Sequence, residues 1–466
     1  NYLYLTSGQN KGKYYLIVDS NENSTANEDA TDTDTISILT DSSSGFSSGD
    51  SFVVIDRVYK REGAQSSNLY ITKDGTSTSP ITWTSSGTVI IDAENKRARA
   101  ILVYGAEFNI VDGFVVENAT TAGIHVYYYA NNNIVQNNVA TQNNAGIVIQ
   151  SSSCYYNQVL NNEVFSNDNT GINLYDSKQN LVKGNISQNN GSYGIYVSGG
   201  FDTQHIIIEN KIYSNNGGGI YLVSSKDLVA ENEIYQNSSA GITIDGGDEV
   251  TVYANILHAN DQGINLNPYS SDYATSNYIL NNTISQNGFG IIFMYGPGHI
   301  DNVIKNNIIY NNTTGIDTGD DSAEIDHNLF YGNTSDGSTG TNAIVGQDPL
   351  FVSTDPTSSD FMYLQKDSPA LGAGVDLFDG TVPGYVNIGA RLGYVKNDQG
   401  TPSDATDDNV FNFLQQAHDD TSLSPGDTVT AYTNDIVSDT IQGNITQIGT
   451  FLIQFDVSET TVTQSN

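Results

Sequence analysis

Basic side chains are scarce in this sequence of 466 residues. It contains 17 lysines and arginines against 53 aspartates and glutamates, a formal net charge of −36. Arginine is absent between Arg99 and Arg391. A chain with this balance does not attract nucleic acid or an anionic membrane, because both are polyanions. It also repels an acidic polysaccharide unless cations bridge the two.

Cysteine and long apolar runs are also missing. The one cysteine, Cys154, excludes an intramolecular disulfide framework. No stretch of 18 apolar residues occurs, so we predict no membrane span. The six histidines fall in different parts of the chain without the spacing of a zinc site. Abundant Asn, Ser, Thr, Gly and Tyr instead fit an extracellular or cell-surface protein.

What the sequence does contain is a repeat. Gly-Ile, a variable residue and, in most copies, an aliphatic residue recur at steps of 23, 25, 23, 25, 22, 22, 27 and 25 residues. The copies begin at Gly123, Gly146, Gly171, Gly194, Gly219, Gly241, Gly263, Gly290 and Gly315. A regular period of this length is the signature of a solenoid.

A second phrase, Asn-x-aliphatic-x-x-Asn, keeps a fixed offset from the first, as in Asn162 to Asn167 and Asn210 to Asn215. Each unit of about 24 residues then holds about three short strands separated by Asn and Gly. Strands this short bury a face only when coils stack, about 4.8 Å apart, with Ile and Val inside. We expect Asn at the bends, where it tolerates left-handed angles and its amide bonds neighbouring coils. We expect Gly before Ile to allow a tight corner.

This pattern resembles the right-handed parallel β-helix of polysaccharide lyases, C5-epimerases and related secreted proteins of the pectate-lyase-like superfamily. The resemblance implies an all-β solenoid of about 24 residues per coil, over roughly residues 80 to 392. We predict an N-terminal cap with entry strands at 1–80, the β-helix at 81–392, and a linker with a small acidic β domain or tail at 393–466. Phrases from Gln347 to Ala390 resemble closing coils.

In the Gly-Ile phrase, Ile points inward and the next residue outward. One outward row therefore runs from His125 to Asp317, and a second begins at Tyr127. Aromatic faces stack on sugar rings, so we predict substrate contact by the tyrosines of this face. The alternative is that tyrosine is simply a good strand residue. The predicted contacts are Tyr127, Tyr175, Tyr196, Tyr221 and Tyr295.

Lyase or epimerase chemistry needs a base and positive charge near the uronate carboxylate. Lys178 and Lys226 follow face tyrosines and are the candidates for that charge, although both also fit solvated turns. Inverting hydrolysis needs two carboxyl groups about 6.5–9.5 Å apart. Asp245 and Asp248 lie in one predicted coil and are the candidate catalytic acids.

The densest acidic segment is a candidate calcium site. Calcium takes six to eight oxygen ligands, often from aspartates on loops. Its candidate ligands are Asp317, Asp320, Asp321 and Glu324, although their spacing matches no EF-hand loop. The alternative is an ordinary acidic bend.

Two hypotheses remain open. In the first, a secreted β-helix binds or acts on extracellular polysaccharide through its tyrosine face, with lyase or hydrolase chemistry if it is an enzyme. In the second, a non-catalytic surface or structural protein, such as an adhesin, envelope layer or filament subunit, assembles with itself through the C-terminal segment. The sparse cations favour the second, and the tyrosine face favours the first.

Overall fold

The computed structural model describes residues 67–375 and 387–390, apart from 201, 269–272, 295–297, 366 and the side chain of 86, and elsewhere only the backbone of the strands named below. The described chain is a solenoid of short parallel strands. The Gly-Ile phrases form one parallel sheet of 12 strands, here called the Gly-Ile sheet. Its strands are Ser67–Ile71, Arg99–Tyr104, Ala122–Tyr127, Ala145–Gln150, Ile172–Tyr175, Ile195–Gly200, Ile220–Ser224, Ala240–Asp245, Gln262–Asn267, Phe289–Phe293, Thr314–Asp317 and Ser335–Gly337.

Two further parallel ladders complete each coil. The strands Ile81–Asp92 and Asn109–Glu117 run through both ladders and join them at the N-terminal end. The second sheet continues with Ile134–Gln136, Gln158–Leu160, Leu181–Lys183, Ile206–Ile208, Leu228–Ala230, Thr251–Tyr253, Tyr278–Leu280, Asn302–Lys305 and Ala323–Asp326. The third sheet contains Arg57–Tyr59, Val139–Thr141, Glu163–Phe165, Ile186–Gln188, Lys211–Tyr213, Glu233–Tyr235, Ile256–His258, Thr283–Ser285, Ile308–Tyr310, Leu329–Tyr331 and Ile344–Val345.

The core is a column of stacked aliphatic side chains. Ile147 pairs with Ile172, and the register continues without a shift through Ile195 and Ile220. These side chains have 0% exposure. Complete burial of such a side chain stabilises the fold by about 1.5–3 kcal/mol. The predicted solenoid and its inward isoleucine row are confirmed.

Asparagines form buried ladders along three corners. One runs through Asn138, Asn162, Asn185, Asn210, Asn232, Asn255, Asn282, Asn307 and Asn328, and a second from Asn143 to Asn333. A third begins with Asn109, Asn133, Asn157 and Asn180, and its next rung is His205. In each rung of the first two ladders the backbone N–H donates to the side-chain oxygen of the next Asn, for example Asn210 to Asn232 at 2.9 Å. The side-chain N–H groups donate to carbonyls of the preceding coil, as from Asn210 to Val182. The predicted bonding between coils is therefore present.

The left-handed backbone angles lie one residue before the ladder asparagines. Glu209, Glu231 and Ala254, which directly precede ladder asparagines, have φ of 58°, 55° and 54°. The ladder asparagines themselves do not have positive φ. At other rungs the residue before the ladder Asn is itself Asn, with φ of 53°, 53°, 54° and 57° at Asn137, Asn161, Asn281 and Asn306. The expectation that Asn takes left-handed angles at the bends is therefore confirmed at those rungs. The role of the ladder asparagines is to satisfy the backbone groups that the bend leaves unpaired.

The glycine of the Gly-Ile phrase is needed for space. Gly219 does not have a left-handed angle. A Cβ on Gly219 would lie 2.5 Å from the carbonyl oxygen of Gly241 and 2.5 Å from Cγ2 of Ile234. The next coil therefore approaches too closely for any side chain at this position, which corrects the expectation of a simple tight corner.

Replacing this glycine tests the steric argument. We expect Gly219→Ala to destabilise the fold by about 1–3 kcal/mol, because the next coil must move away from the new methyl group. Urea-induced unfolding measures the change. Ser239→Ala, at an exposed position of the neighbouring coil, is the matched control and should change stability by less than about 0.5 kcal/mol. Equal stability of the two variants would contradict the close approach.

The segment after residue 346 does not continue the coils. Phe351, Phe361, Met362, Leu364, Ala370, Ile388 and Ala390 pack with Ile256, Ile308 and Leu329, which face outward from the third sheet. Long-range hydrogen bonds fix the segment there, such as Asn306 Nδ2 to the Val375 carbonyl at 2.8 Å. The interpretation of this segment as closing coils is therefore wrong for its described residues, which cover the outside of the last coils.

Both ends of the chain contain antiparallel strands. The N-terminal sheet has the order Thr35–Leu39, Tyr14–Asn21, Tyr2–Leu5, Phe52–Ile55. The C-terminal sheet has the order Asn409–Phe411, Tyr394–Asp398, Thr428–Tyr432, Thr460–Thr463. Arg57–Tyr59 and Ser67–Ile71 already belong to the parallel sheets, so coils begin within the range assigned to the cap. The cap at 1–80 and the tail at 393–466 stay predictions, because most of their residues lie outside the described part.

Candidate functional site

The outward face of the Gly-Ile sheet carries the predicted rows in register. The first row pairs His125, Val148, Asn173, Tyr196, Tyr221, Thr243, Asn265, Ile292 and Asp317 in that order. The second contains Tyr127, Gln150, Tyr175, Ser198 and Val223, and further along Asp245 beside Asn267. Neighbouring strands lie about 4.8 Å apart, so each row is continuous with that spacing. These two rows are confirmed as neighbours.

Three tyrosines form a compact platform on this face. The rings of Tyr196 and Tyr221 are stacked with centroids 5.7 Å apart and an interplanar angle of 13°. Tyr193 lies against both, with its centroid 4.6 Å from that of Tyr221 and 5.8 Å from that of Tyr196. We call Tyr193, Tyr196 and Tyr221 the central platform.

Sequence reasoning missed Tyr193. It lies two residues before Ile195, at a position where other coils have the small residues Ala122, Ala145 and Ala240. Phe289 occupies the same position in a later coil, so a repeat position that holds an aromatic residue in two coils was the signal that could have found Tyr193. It adds a third outward position to the two rows that we predicted.

Asp245 is joined to the central platform by a hydrogen bond. The hydroxyl of Tyr221 donates to Oδ2 of Asp245. Burial, and then this contact with Asp245, raises the pKa of Tyr221, so the phenol stays a neutral donor. Burial also raises the pKa of Asp245, and the bond from Tyr221 partly offsets that effect. The pair can hold or accept a proton beside an aromatic surface, which is what acid–base chemistry on a bound ligand needs.

Unpaired buried polar atoms surround the platform. Asp245 is only 5% exposed, and its Oδ1 is buried without a hydrogen-bond partner among the described residues. The same holds for Asn173 Oδ1, Ser198 Oγ, Asn265 Oδ1 and Asn267 Oδ1 on the two rows. Most buried polar atoms in proteins are paired, and an unpaired one costs about 1–3 kcal/mol. Five such atoms lie on this one face, and others lie elsewhere in the solenoid, such as Thr141 Oγ1 and Ser285 Oγ.

A second tyrosine cluster lies at the N-terminal end of the same face. Tyr104 is 5.8 Å from Tyr127 and 5.3 Å from Tyr128 between ring centroids. Tyr70 and Tyr129 extend the cluster, with exposures of 48% and 56%. We call these five residues the N-terminal platform. Only Tyr127 was predicted, because the others lie outside the Gly-Ile phrase.

His125 lies beside the N-terminal platform and is tied to an arginine. Arg99 Nε donates to His125 Nδ1 at 2.9 Å. Burial, and then the Arg99 charge, lowers the pKa of His125 to about 3. The imidazole is therefore neutral at physiological pH and serves as an acceptor for Arg99.

The other predicted contacts are separated. Tyr175 lies on the second row between the two platforms and is 43% exposed. Tyr295 lies outside the described residues. Lys178 lies at the bend after Tyr175, and its backbone pairs with that of Tyr155 in an isolated parallel β-bridge.

The remaining two catalytic candidates have partners at bends. Lys226 Nζ lies 3.5 Å from Asp202 Oδ1, and its backbone is left-handed with φ of 65°. Asp248 Oδ1 accepts from the hydroxyl and the backbone N–H of Thr275, at 2.6 and 3.0 Å. Of the four predicted catalytic residues, Asp245 is the one that contacts the central platform.

The predicted calcium ligands also have separate partners. Asp321 Oδ1 accepts from the backbone N–H of His299 at 3.1 Å, and Glu324 pairs with Lys305 at 2.6 Å. Asp317 Oδ1 accepts from the backbone N–H of Gly319, and Asp320 follows Gly319 in the same turn. Within the described residues no group of three or more His, Cys, Asp or Glu side chains is placed to hold a metal ion. Calcium at this loop stays a prediction.

Two family models match the chain. The model described as periplasmic copper-binding protein (NosD) matches residues 46–237, and the model described as right handed beta helix region matches residues 201–348. The chain is a right-handed parallel β-helix. The fold predicted from the resemblance is therefore confirmed. Comparison with curated protein sequences gives no significant match.

Solved structures of similar fold include carbohydrate-processing enzymes. Pectate lyase Pel9A is 15% identical, with coverage of 72% of this chain and 84% of that chain and a TM-score of 0.45. The A-module of mannuronan C-5 epimerase AlgE4 from Azotobacter vinelandii is 19% identical, with coverage of 59% and 75% and a TM-score of 0.40. Alginate lyase AlyGC is 14% identical, with coverage of 60% and 49% and a TM-score of 0.42. We carry no residue role from them to this chain.

No helix among the described residues has the length and apolar character needed to cross a bilayer.

Proposed function

We propose that the protein binds polysaccharide on the outward face of the Gly-Ile sheet, outside the cytoplasm. The observation that carries the proposal is the central platform of packed tyrosines, with the Asp245 carboxyl hydrogen-bonded at its side. Sugar rings present apolar faces that stack on tyrosine, and their hydroxyls both donate and accept hydrogen bonds. A glycan is the ligand class that uses both features at once.

If the protein also acts on its ligand, Asp245 is the candidate acid–base residue. It is buried beside the platform, and its Oδ1 has no partner among the described residues. Asp248, Lys178 and Lys226 stay predicted contributors, with the bend positions described above. Asp245→Asn keeps the shape of the side chain and removes its proton exchange, so any turnover should be lost while binding is retained.

A copper-binding role is a possible reading of one family match, and the described residues do not fit it. Copper takes histidine, cysteine and methionine ligands. In the described part of the matched range, the candidates are His125, Cys154 and His205, each buried in a different coil. His125 Nδ1 and His205 Nδ1 already accept hydrogen bonds from Arg99 and Asn180. We propose no copper site in this part of the chain.

Self-assembly through the C-terminal segment remains the alternative role. The four described strands of that segment pair with one another. A molecular mass in solution equal to that of one copy, together with glycan binding, would favour polysaccharide binding over self-assembly.

A tyrosine substitution tests the proposed face. We expect Tyr196→Ala to weaken glycan binding at least about tenfold, equivalent to about 1.4 kcal/mol, because the stacked surface is lost. Isothermal titration with soluble polysaccharides measures the change. Tyr213→Ala is the matched control, because Tyr213 stacks on Tyr235 at 4.8 Å on the third sheet, away from this face. Unchanged affinity in Tyr196→Ala, or an equal loss in the control, would contradict the proposal.

A further inference from the structure

The proposed binding face has almost no positive charge. From Ala122–Tyr127 onwards, the strands of the Gly-Ile sheet contain no lysine and no arginine. Apart from the tyrosine phenols, the ionisable side chains on these strands are His125, which is neutral at physiological pH, and the carboxyls of Asp245, Asp317 and Asp336. Arg99 is the cation at the edge of the N-terminal platform, and its Nε is engaged by His125.

Four of the five lysines from Lys178 to Lys305 pair with carboxylates, and the fifth, Lys178, lies at the bend after Tyr175. Lys183 lies 3.0 Å from Glu209, Lys211 lies 3.4 Å from Glu233, and Lys305 lies 2.6 Å from Glu324. All three are on the second and third sheets. Lys226 pairs with Asp202 at a bend. The four paired lysines are therefore not placed to meet a carboxylate bound at the central platform.

A uronate polymer would be poorly accommodated here. Its carboxylates would approach the Asp245 carboxyl and the electron-rich faces of Tyr196 and Tyr221 without a compensating cation. Desolvating an anion without a partner is costly, and like charge adds to the cost. A neutral sugar carries no such penalty, and its hydroxyls can pair with Asn173, Asn265 and Asn267.

The two platforms also lie far apart along the solenoid axis. Val223 follows the platform residue Tyr221 by two positions and lies in the same row as Tyr127. Four register steps separate Tyr127 from Val223 in that row. At about 4.8 Å per strand this is about 19 Å. Tyr175 lies between them on the same row and is half exposed. A ligand that contacts both platforms must be a chain of several sugar units running along the axis, across the strands.

We propose that the ligand is an uncharged polysaccharide, bound in extended form over both platforms. This inference rests on the proposed function and adds the substrate class and the direction of the chain. Occupying two linked sites makes binding of the polymer tighter than binding of a fragment that reaches one site.

The test uses the full chain and defined glycans. Affinity is measured for three neutral polymers, a β-glucan, a xylan and a galactomannan, and for two uronate polymers, polygalacturonate and alginate. Each is measured with calcium and with a chelator, at low and at high salt. Variants are Tyr196→Ala and Tyr127→Ala in the two platforms and Lys178→Gln at the bend after Tyr175. Trisaccharides of the polymer that binds are measured in parallel.

We expect a neutral polymer to bind independently of salt, calcium and Lys178→Gln, with at least about fivefold loss in each tyrosine variant. We expect its trisaccharide to bind at least about tenfold more weakly and to respond to only one of the two tyrosine variants. Two results would overturn the inference: tighter binding of a uronate polymer than of a neutral polymer, or loss of binding in Lys178→Gln. If Tyr196→Ala still weakens glycan binding in either case, the proposed function stays intact. Equal affinity for polymer and trisaccharide would overturn the extended binding. No binding to any glycan, or no effect of Tyr196→Ala, would overturn the proposed function itself.

Discussion

Replacing Asn210 by alanine should cost the fold about 3–5 kcal/mol, far more than an average substitution. Oδ1 of Asn210 accepts from the backbone and side-chain N–H groups of Asn185, at 2.9 and 3.0 Å. Its Nδ2 donates to the carbonyls of Val182 and Ile208, at 2.9 and 3.0 Å. The residue is 2% exposed, so water cannot replace these bonds. Each group left unpaired in the interior costs about 1–3 kcal/mol.

The effect should be concentrated in neighbouring coils, because each coil of a solenoid contacts only those beside it. Urea-induced unfolding measures the overall loss, and hydrogen exchange should show faster exchange at the backbone N–H of Asn185. Asn216→Ala is the matched control, since Asn216 is exposed and its Nδ2 donates to the Gly191 carbonyl over a long distance of 3.5 Å. It should change stability by less than about 0.5 kcal/mol. If both variants were equally stable, the ladder would be a by-product of the fold and would not support it.

The repeat was readable from the sequence because its cause is local. Gly219, Ile220 and the Asn232 that follows recur at one spacing, and each acts on the coil directly above or below it. That regularity predicted the inward column and two outward rows. It predicted left-handed Asn at the bends, as at Asn137 and Asn281, but it did not predict that Glu209 and Ala254 take the same angle at other rungs. There the strain is compensated by the neighbouring Asn, and the preceding side chain is free to vary.

The parts that the sequence did not predict depend on contacts between distant residues. The described residues after 346 are fixed on the coils by bonds such as Ala390 N–H to Thr283 Oγ1, over a separation of 107 residues. A contact over such a separation leaves no periodic pattern in the sequence. The candidate site shows the same division. Tyr196, Tyr221 and Asp245 lie on the two predicted rows, whereas Tyr193 and Tyr128 lie outside those rows and were identified from the ring contacts between coils.

The protein should lose stability as the pH falls from about 6.5, and His125 and His205 are the reason. Burial, and then Arg99, lowers the pKa of His125 to about 3 in the folded state. Burial lowers the pKa of His205 as well, and its Nδ1 must stay unprotonated to accept from the N–H of Asn180 at 3.1 Å. Unfolded histidine has a pKa of about 6.5, so below that pH the unfolded chain binds more protons and gains free energy.

At pH 5 the shift of His125 alone amounts to about 2 kcal/mol, from about 1.5 pH units at about 1.36 kcal/mol each. The raised pKa of Asp245 acts in the opposite direction, so a variant is needed to assign the effect. His205→Asn places at this rung the residue that Asn180 and Asn157 supply at earlier rungs of the same ladder. We expect it to fold and to lose less stability than the parent between about pH 7.5 and pH 5, measured by urea unfolding at each pH. Parallel curves for the two proteins would show that folding leaves the pKa of His205 near its unfolded value, which would contradict the prediction.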